Sequence, residues 1–298
     1  MKILCIGHAS YDITIPYDGY PIENTKNRVS EKVECGGGPA ANAAYLLGKW
    51  GLETTFVGCL GKDIYAERII KEFKSVSVNT DHLELDEDDE TTLSFIIVNK
   101  RNGSRTVIAH RQKDMNLKNK CDLSADIILA DGQELDATIQ AIEANPNAIS
   151  ILDAGSLKEE NIILGKKVNY LVCSKVFAED YTKIKIDFNN PESISKIYEK
   201  MSNDFKNNII ITLESKGCLY VKDKVIKLMP SINVTPVDTT GAGDLFHGAF
   251  TYCLAANYDL EKTLRISNIT GALSVTKMGG RNSVFPLEEV LKIYEKTL

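Results

Sequence analysis

Residues 127–152 read IILADGQELDATIQAIEANPNAISIL: an apolar run, a helix-forming segment and a second apolar run. Ile127–Ala130 and Ile149–Leu152 are short, wholly or mostly apolar and rich in β-branched isoleucine, the pattern of strands buried on both faces. Between them, Asp136–Ala144 is built largely of helix formers, and Asp136 stands where a cap would satisfy free first-turn amides. Two strands joined by a helix are parallel neighbours. The same alternation spreads outward in both directions. Ile3–Ile6 reads as a strand, Ala40–Trp50 as a helix with Pro39 at its first position and Gly51 at its end, Thr54–Val57 as a strand and Ile64–Phe73 as a helix. Tyr170–Cys173 and Ile209–Leu213 read as strands around the helix Ile194–Phe205. The predicted fold is a doubly wound, mainly parallel α/β sheet with helices on both faces. With no linker, repeat or low-complexity tract, residues 1–298 are expected to form a single domain.

Two stretches break the rhythm. Asp12–Pro21 and Arg28–Glu34 are extended in character, with no helix between them. Thr91–Val98 and Arg105–Ala109 flank Asn102-Gly103, a strong hairpin signal. These stretches predict a small β-sheet lid over the ligand cleft, built from about residues 11–35 and 90–112. The acidic run Asp86–Glu90 reads as a solvated loop.

Composition narrows the function. Hydrophobic residues at 43% and charged residues at 26% are ordinary for a soluble globular chain and exclude a mainly disordered one. A net charge of −6 offers no general attraction to nucleic acid or anionic lipid, so neither is an expected partner. Seven scattered cysteines with no Cys-x-x-Cys pair read as reduced and cytoplasmic, and four histidines without a ligand cluster argue against zinc. No stretch approaches the ~18 apolar residues of a membrane span, and the N-terminal apolar run is too short for a signal peptide.

The chemistry is concentrated in Val237–Phe250, VDTTGAGDLFHGAF. Small residues let the amides of Gly241, Ala242 and Gly243 converge on an oxyanion, and a helix starting there adds its positive dipole end. Asp244, in the first turn, is placed to take a proton from an attacking hydroxyl. Read alone, a Gly-x-Gly-Asp is more often a capped turn. The wider pattern changes that balance. Asp-Thr-Thr-Gly-Ala-Gly-Asp-x-Phe-x-Gly resembles the C-terminal signature of the ribokinase-like (PfkB) family of carbohydrate kinases. Gly36-Gly37-Gly38-Pro39-Ala40-Ala41-Asn42 resembles its N-terminal signature, and Val57-Gly58-Cys59-Leu60-Gly61-Lys62-Asp63 a third stretch.

The resemblance covers nearly the whole chain and implies roles residue by residue. Asp244 falls on the catalytic base, and Gly241, Ala242 and Gly243 on the anion hole. Asp12, Gly38 and Asn42 fall on acceptor-binding positions. Thr212 and Gly217 fall on a nucleotide segment in which Glu214 replaces the usual glycine, with Asn268 and Gly271 bordering the adenine side. Asp238, Thr240, Ser274, Lys277, Gly279 and Ser283 fall on a monovalent-cation loop, which implies potassium beside the ATP and Mg2+ that the family uses. Ser174-Lys175 departs from the Asn-x-x-Glu that many members tie to magnesium and phosphate and resembles ketohexokinase-like members; Glu179 is the candidate to organise Mg2+ through water. Beyond the Ile127–Ala130 strand, Gln133 and Glu134 face the expected crevice, and Arg105 and Arg111 flank a lid strand where an arginine reads anions.

The expected activity is therefore ATP-dependent phosphorylation of a hydroxyl on a sugar or sugar derivative, ribose, fructose or another ketose among them. The alternatives are a nucleoside kinase, for which Tyr11, Tyr17 and Tyr20 offer aromatic faces, and a non-catalytic sugar-binding protein on the same fold. A dinucleotide oxidoreductase is disfavoured because Gly36–Ala41 does not follow the first strand, and a P-loop kinase because no Gly-Lys pair precedes Ser or Thr. Exposed strand edges on the lid point to a homodimer.

Overall fold

The apolar runs become adjacent strands. The computed structural model describes residues 1–112, 117, 118 and 121–297. In chain order the elements begin with β1 (Lys2–Ile6), β2 (Ser10–Tyr17), β3 (Val33–Gly37), α1 (Pro39–Lys49), β4 (Glu53–Val57) and β5 (Cys59–Gly61). Next come α2 (Ile64–Ser75), β6 (Glu84–Asp86), β7 (Leu93–Asn99), β8 (Arg105–His110), β9 (Ile127–Ala130) and α3 (Leu135–Ala144). They continue with β10 (Ile149–Ala154), α4 (Glu159–Gly165), β11 (Tyr170–Ser174), α5 (Lys175–Thr182), α6 (Pro191–Asp204) and β12 (Asn208–Thr212). The chain closes with β13 (Cys218–Lys222), β14 (Val225–Met229), α7 (Ala242–Ala255), α8 (Leu260–Ser274) and α9 (Leu287–Glu295).

The eight-stranded sheet runs β14-β13-β12-β11-β10-β9-β1-β4 and is parallel from β12 to β4, as the alternation predicts. Period two sends its side chains to both faces. Ile3, Cys5, Ile127 and Leu129 join one core with α1, α2, α7 and α8. Leu4, Ile6 and Ile128 pack on Ala137 and Ala141 of α3, and Leu152, Leu171 and Ile211 on Leu164, Phe177 and Ile197 of α4, α5 and α6. From β1 the chain moves one way to β4, then returns to β9 and proceeds the other way. The carboxyl ends of β1 and β9 therefore bound the crevice where ligands bind in such sheets.

The second sheet runs β3-β2-β7-β8, with Gly103 at φ 70° in the turn between β7 and β8. Its strand β3 begins at Val33, later than the extended stretch Arg28–Glu34 predicts, and runs on through Gly36 and Gly37. A Cβ on Gly37 would fall 2.1 Å from the Asp12 carboxylate, and one on Gly36 would fall 2.3 Å from the Arg281 guanidinium. These two glycines make room for side chains rather than a turn.

Other boundaries also shift. Helix α3 starts at Leu135 after Glu134, so Asp136 lies in its first turn instead of capping it. Helix α6 starts at Pro191, whose missing amide costs nothing at a first position. The antiparallel hairpin β13–β14 has no glycine signal: its turn residues Asp223 and Lys224 both take positive φ, 52° and 63°. Among the described residues no helix is long and apolar enough to cross a membrane.

Candidate active site

Helix α7 begins beside the crevice. Gly241, at φ 78°, is its N-cap, and a Cβ there would lie 3.1 Å from Gly280 Cα. The first-turn amides that follow have no intrahelical acceptor, and Gly243 borders open space. Asp244 sits in this first turn, where Asn42 Nδ2 of α1 donates to its Oδ2 over 2.8 Å. Asn42 is 1% exposed, and its Oδ1 is buried without a hydrogen-bond partner. Such an atom is satisfied when a donor such as a hydroxyl arrives. The two signature segments thus meet side chain to side chain across 202 residues of chain.

Gly38 holds φ 96° at the start of α1, and a Cβ there would strike His8 O at 2.4 Å, so only glycine fits. Asp131, just past β9, was not singled out from the sequence. Its Oδ2 accepts from the amides of His8, at 2.8 Å, and Ala40, at 3.1 Å, and its Oδ1 accepts from Gln133 N at 3.0 Å. It ties the carboxyl ends of β1 and β9 to the α1 N-terminus. Burial pushes its carboxyl upward, against these amides.

Asp12 lies on β2, 5% exposed, and accepts from Ser10 Oγ over 2.9 Å. Burial raises its carboxyl; the Ser10 and Ser94 hydroxyls oppose this, and the charge of Asp244 adds to it. Tyr11 and Tyr17 occupy the alternate positions of the strand and project to the other face. The Tyr11 ring lies 5.2 Å from that of Tyr65, tilted by 41°, under Arg68, and the Tyr17 hydroxyl bonds Asn27. The Tyr20 hydroxyl meets Ser104.

Around the crevice mouth, Arg111 Nη1 donates to Gln133 Oε1 at 3.3 Å. His8 is held down to about 3 by burial and by the charges of Arg111 and Lys158. Glu134 is buried and accepts from Leu117 N at 3.0 Å; burial pushes its carboxyl up to about 7. Arg105 is committed to the loop ahead of α7, donating to Thr239 O and Oγ1, each at 2.9 Å.

That loop is held from within. Asp238 is buried; its Oδ1 accepts from Thr240 N at 2.8 Å and its Oδ2 from Gly279 N at 2.9 Å. Thr240 Oγ1 is buried without a partner. Ser274 Oγ bonds Gly271 O, Ser283 Oγ bonds Gly280 O, Lys277 Nζ lies over the Phe285 ring at 3.8 Å, and Gly279 takes φ 85°. Arg281, 2% exposed, bonds Glu72 at 2.9 Å and lies over Phe73 at 4.4 Å, fastening the loop to α2.

On the other side of α7, Thr212 Oγ1 donates to Cys173 O at 3.3 Å at the end of β12. Glu214 holds φ 54°, so the backbone keeps the left-handed conformation favoured by the glycine it replaces. Gly217, at φ 99°, allows an approach that would set a Cβ 2.0 Å from Met229 O. Asn268 Nδ2 donates to Met229 O at 3.0 Å, and Gly271 lets α8 close on Ala242 O. Glu179 lies apart, its carboxylate taken by Lys185 at 2.7 Å and Ile186 N at 3.0 Å. Asp153, at the end of β10, and His247, on α7, also line the base of the site; the only sequence signal for either aspartate is an acid at a strand's carboxyl end.

Residues 1–286 match the family described as pfkB family carbohydrate kinase. A nucleoside kinase of Methanocaldococcus jannaschii is 26% identical over 99% of this chain and 97% of its own length. A deoxyribokinase of Salmonella typhi is 26% identical over 97% of each chain. The solved structure of Arabidopsis thaliana ribokinase complexed with ribose and ATP superposes with a TM-score of 0.79 at 23% identity, covering 98% of this chain and 97% of that one.

Proposed function

We propose that this chain, which belongs to the pfkB family of carbohydrate kinases and is an ATP-dependent phosphotransferase, acts on a hydroxyl of a sugar or simple sugar derivative, with ribose, fructose or another ketose as the acceptor class. The observation that carries this reading is the Asn42–Asp244 bond of 2.8 Å at the α7 N-terminus. It sets a carboxylate beside free helix amides, with an unpaired amide oxygen next to it. In this reading Asp244 takes the proton of the attacking hydroxyl as that oxygen bonds to the γ-phosphorus of ATP and the bond from this phosphorus to the bridging oxygen breaks, so that ADP leaves. The amides of Gly241, Ala242 and Gly243 face the charge that grows on the transferred group. Asp12, Gly38 and Asn42 hold the acceptor's other hydroxyls, with Glu134 and Arg111 at the far end. ATP and its Mg2+ would be held on the side of Thr212, Gly217, Asn268 and Gly271 and would supply the phosphoryl group and charge neutralisation there. Among the described residues no cluster of three acidic, histidine or cysteine side chains is arranged for a metal.

The small sheet β3-β2-β7-β8 is the lid of this reading, and β8, exposed along its length, is the edge along which two copies pair. Seven buried, unpaired cysteines accord with a cytoplasmic location. The nucleoside reading loses support from Tyr11, whose ring is spent on Tyr65 and Arg68. The reading is tested with ATP and a panel of pentoses, hexoses, sugar phosphates and nucleosides, following ADP release and product mass. Turnover of a free sugar is the expected result. Transfer to nucleosides alone would replace the sugar with a nucleoside, and no turnover at all would leave a binding protein.

A monovalent cation fits the loop of Asp238, Thr240, Ser274, Lys277, Gly279 and Ser283, because Thr240 Oγ1 is a buried oxygen lacking a partner. Potassium held there would fix the carbonyls behind Gly241–Gly243, so it is expected to raise kcat more than it alters KM. Initial rates in potassium chloride and in tetramethylammonium chloride at equal ionic strength check this. Equal kcat in the two salts removes the cation from the reading.

A further inference from the structure

His247 is 3% exposed, and all three polar atoms around its ring are acceptors. Nε2 lies 3.1 Å from Val172 O on β11. Nδ1 lies 2.6 Å from Gly243 O and 3.1 Å from Asp153 Oδ2 on β10. A neutral imidazole has one N–H and one bare nitrogen. Either neutral tautomer sets a lone pair against a buried carbonyl oxygen, an arrangement that is costly away from water. A proton on Asp153 would not relieve it, since Nδ1 would still face Gly243 O. Only the imidazolium gives each oxygen a donor, and Asp153 is then its counter-charge.

The ring's position matters as much as its charge. The Gly243 carbonyl and the Asp244 amide belong to one rigid peptide plane. A ring that ties Gly243 O to β10 and β11 therefore sets the plane from which Asp244 projects. We propose that His247, as a buried imidazolium paired with Asp153, is a positioning residue that orients the Gly243–Asp244 peptide and adds a fixed positive charge beneath the anion site. The inference rests on the kinase reading of Asp244 and its neighbouring amides. Burial pushes Asp153 up to about 7 while the His247 charge opposes it, and the charges of Asp244 and Asp131 press in the same direction as burial. Cys173 on β11, which feels the Asp153 charge, is kept protonated by burial.

The test combines ring NMR with kinetics. With four histidines in the chain, nitrogen-15 labelling resolves each ring, and His247→Asn identifies one of them. At pH 7.5 that ring is expected to carry protons on both nitrogens; a single proton overturns the proposal. His247→Asn keeps a donor but no charge and is expected to lower kcat on the order of 10–100-fold, with acceptor KM nearly unchanged. Asp153→Asn removes the counter-charge, so kcat is expected to have an alkaline limb that lies at lower pH than the parent's. A purely structural contact would not move that limb. If kcat of His247→Asn stays within about threefold of the parent, or the limb does not move in Asp153→Asn, the positioning role is overturned. His247→Gln is the second variant if His247→Asn does not give the parent's thermal unfolding. Failure of the kinase reading itself is distinct: the unsubstituted protein would turn over no acceptor, while the ring's protonation would be unaffected.

Discussion

Asp244→Ala is expected to lose phosphoryl transfer by about 10²–10⁴-fold while still binding ATP. The carboxylate stands in the first turn of α7, bonded by Asn42 and next to amides that have no partner within the helix. Removing it takes away the acceptor for the hydroxyl proton and leaves the helix end intact. Asp244→Asn keeps the size and the contact to Asn42 but not the basicity, and should fall nearly as far. Steady-state rates paired with calorimetric titration of ATP separate chemistry from binding. An alanine variant within about threefold of the parent would take Asp244 out of the mechanism.

Asp12→Ala is the second large effect, and it should fall on one substrate only. Asp12 is buried between Ser10 and Ser94 and faces Gly37, whose lack of a side chain leaves space for its carboxylate. Hydrogen bonds to a charged group are worth about 1.5–3 kcal/mol each. Losing one such bond to an acceptor hydroxyl should raise its KM by roughly 10–10²-fold, with KM for ATP within about twofold. Asp12→Asn, which keeps an acceptor oxygen, should lie between. Initial-rate grids in both substrates measure the split. Equal rises for acceptor and ATP would instead place Asp12 in the folding of β2 against β3.

Much of this was legible along the chain because the signals are local. Isoleucine-rich runs bounded by helix formers specify buried parallel strands whatever their neighbours. Pro39 and Gly51 start and end α1 by their own backbone chemistry. The Asn102-Gly103 turn joins β7 to β8 for the same reason. The segment Gly241–Asp244 announces a helix start with free amides before any partner is known. Even Glu214, which breaks the glycine pattern, leaves the left-handed backbone in place.

What the chain did not disclose lies between segments. Whether Asn42 meets Asp244 depends on α1 and α7 packing on one face of the sheet, a contact across 202 residues that no local period encodes. Asp131 and Asp153 read as ordinary acids after strands until the strand order brings β1, β9 and β10 side by side. His247 reads as one polar residue in an apolar helix; only the closure of α7 onto β10 and β11 surrounds its ring with oxygens. The Asp223-Lys224 turn carries no glycine signal along the chain, and the pairing of β13 with β14 holds both residues at positive φ. By itself the sequence determined which segments become strands, helices and an anion-binding helix start, since backbone sterics and burial act over a few residues. Tertiary structure decided which charges face one another, because burial and electrostatics act through space, and only the sheet order sets those distances.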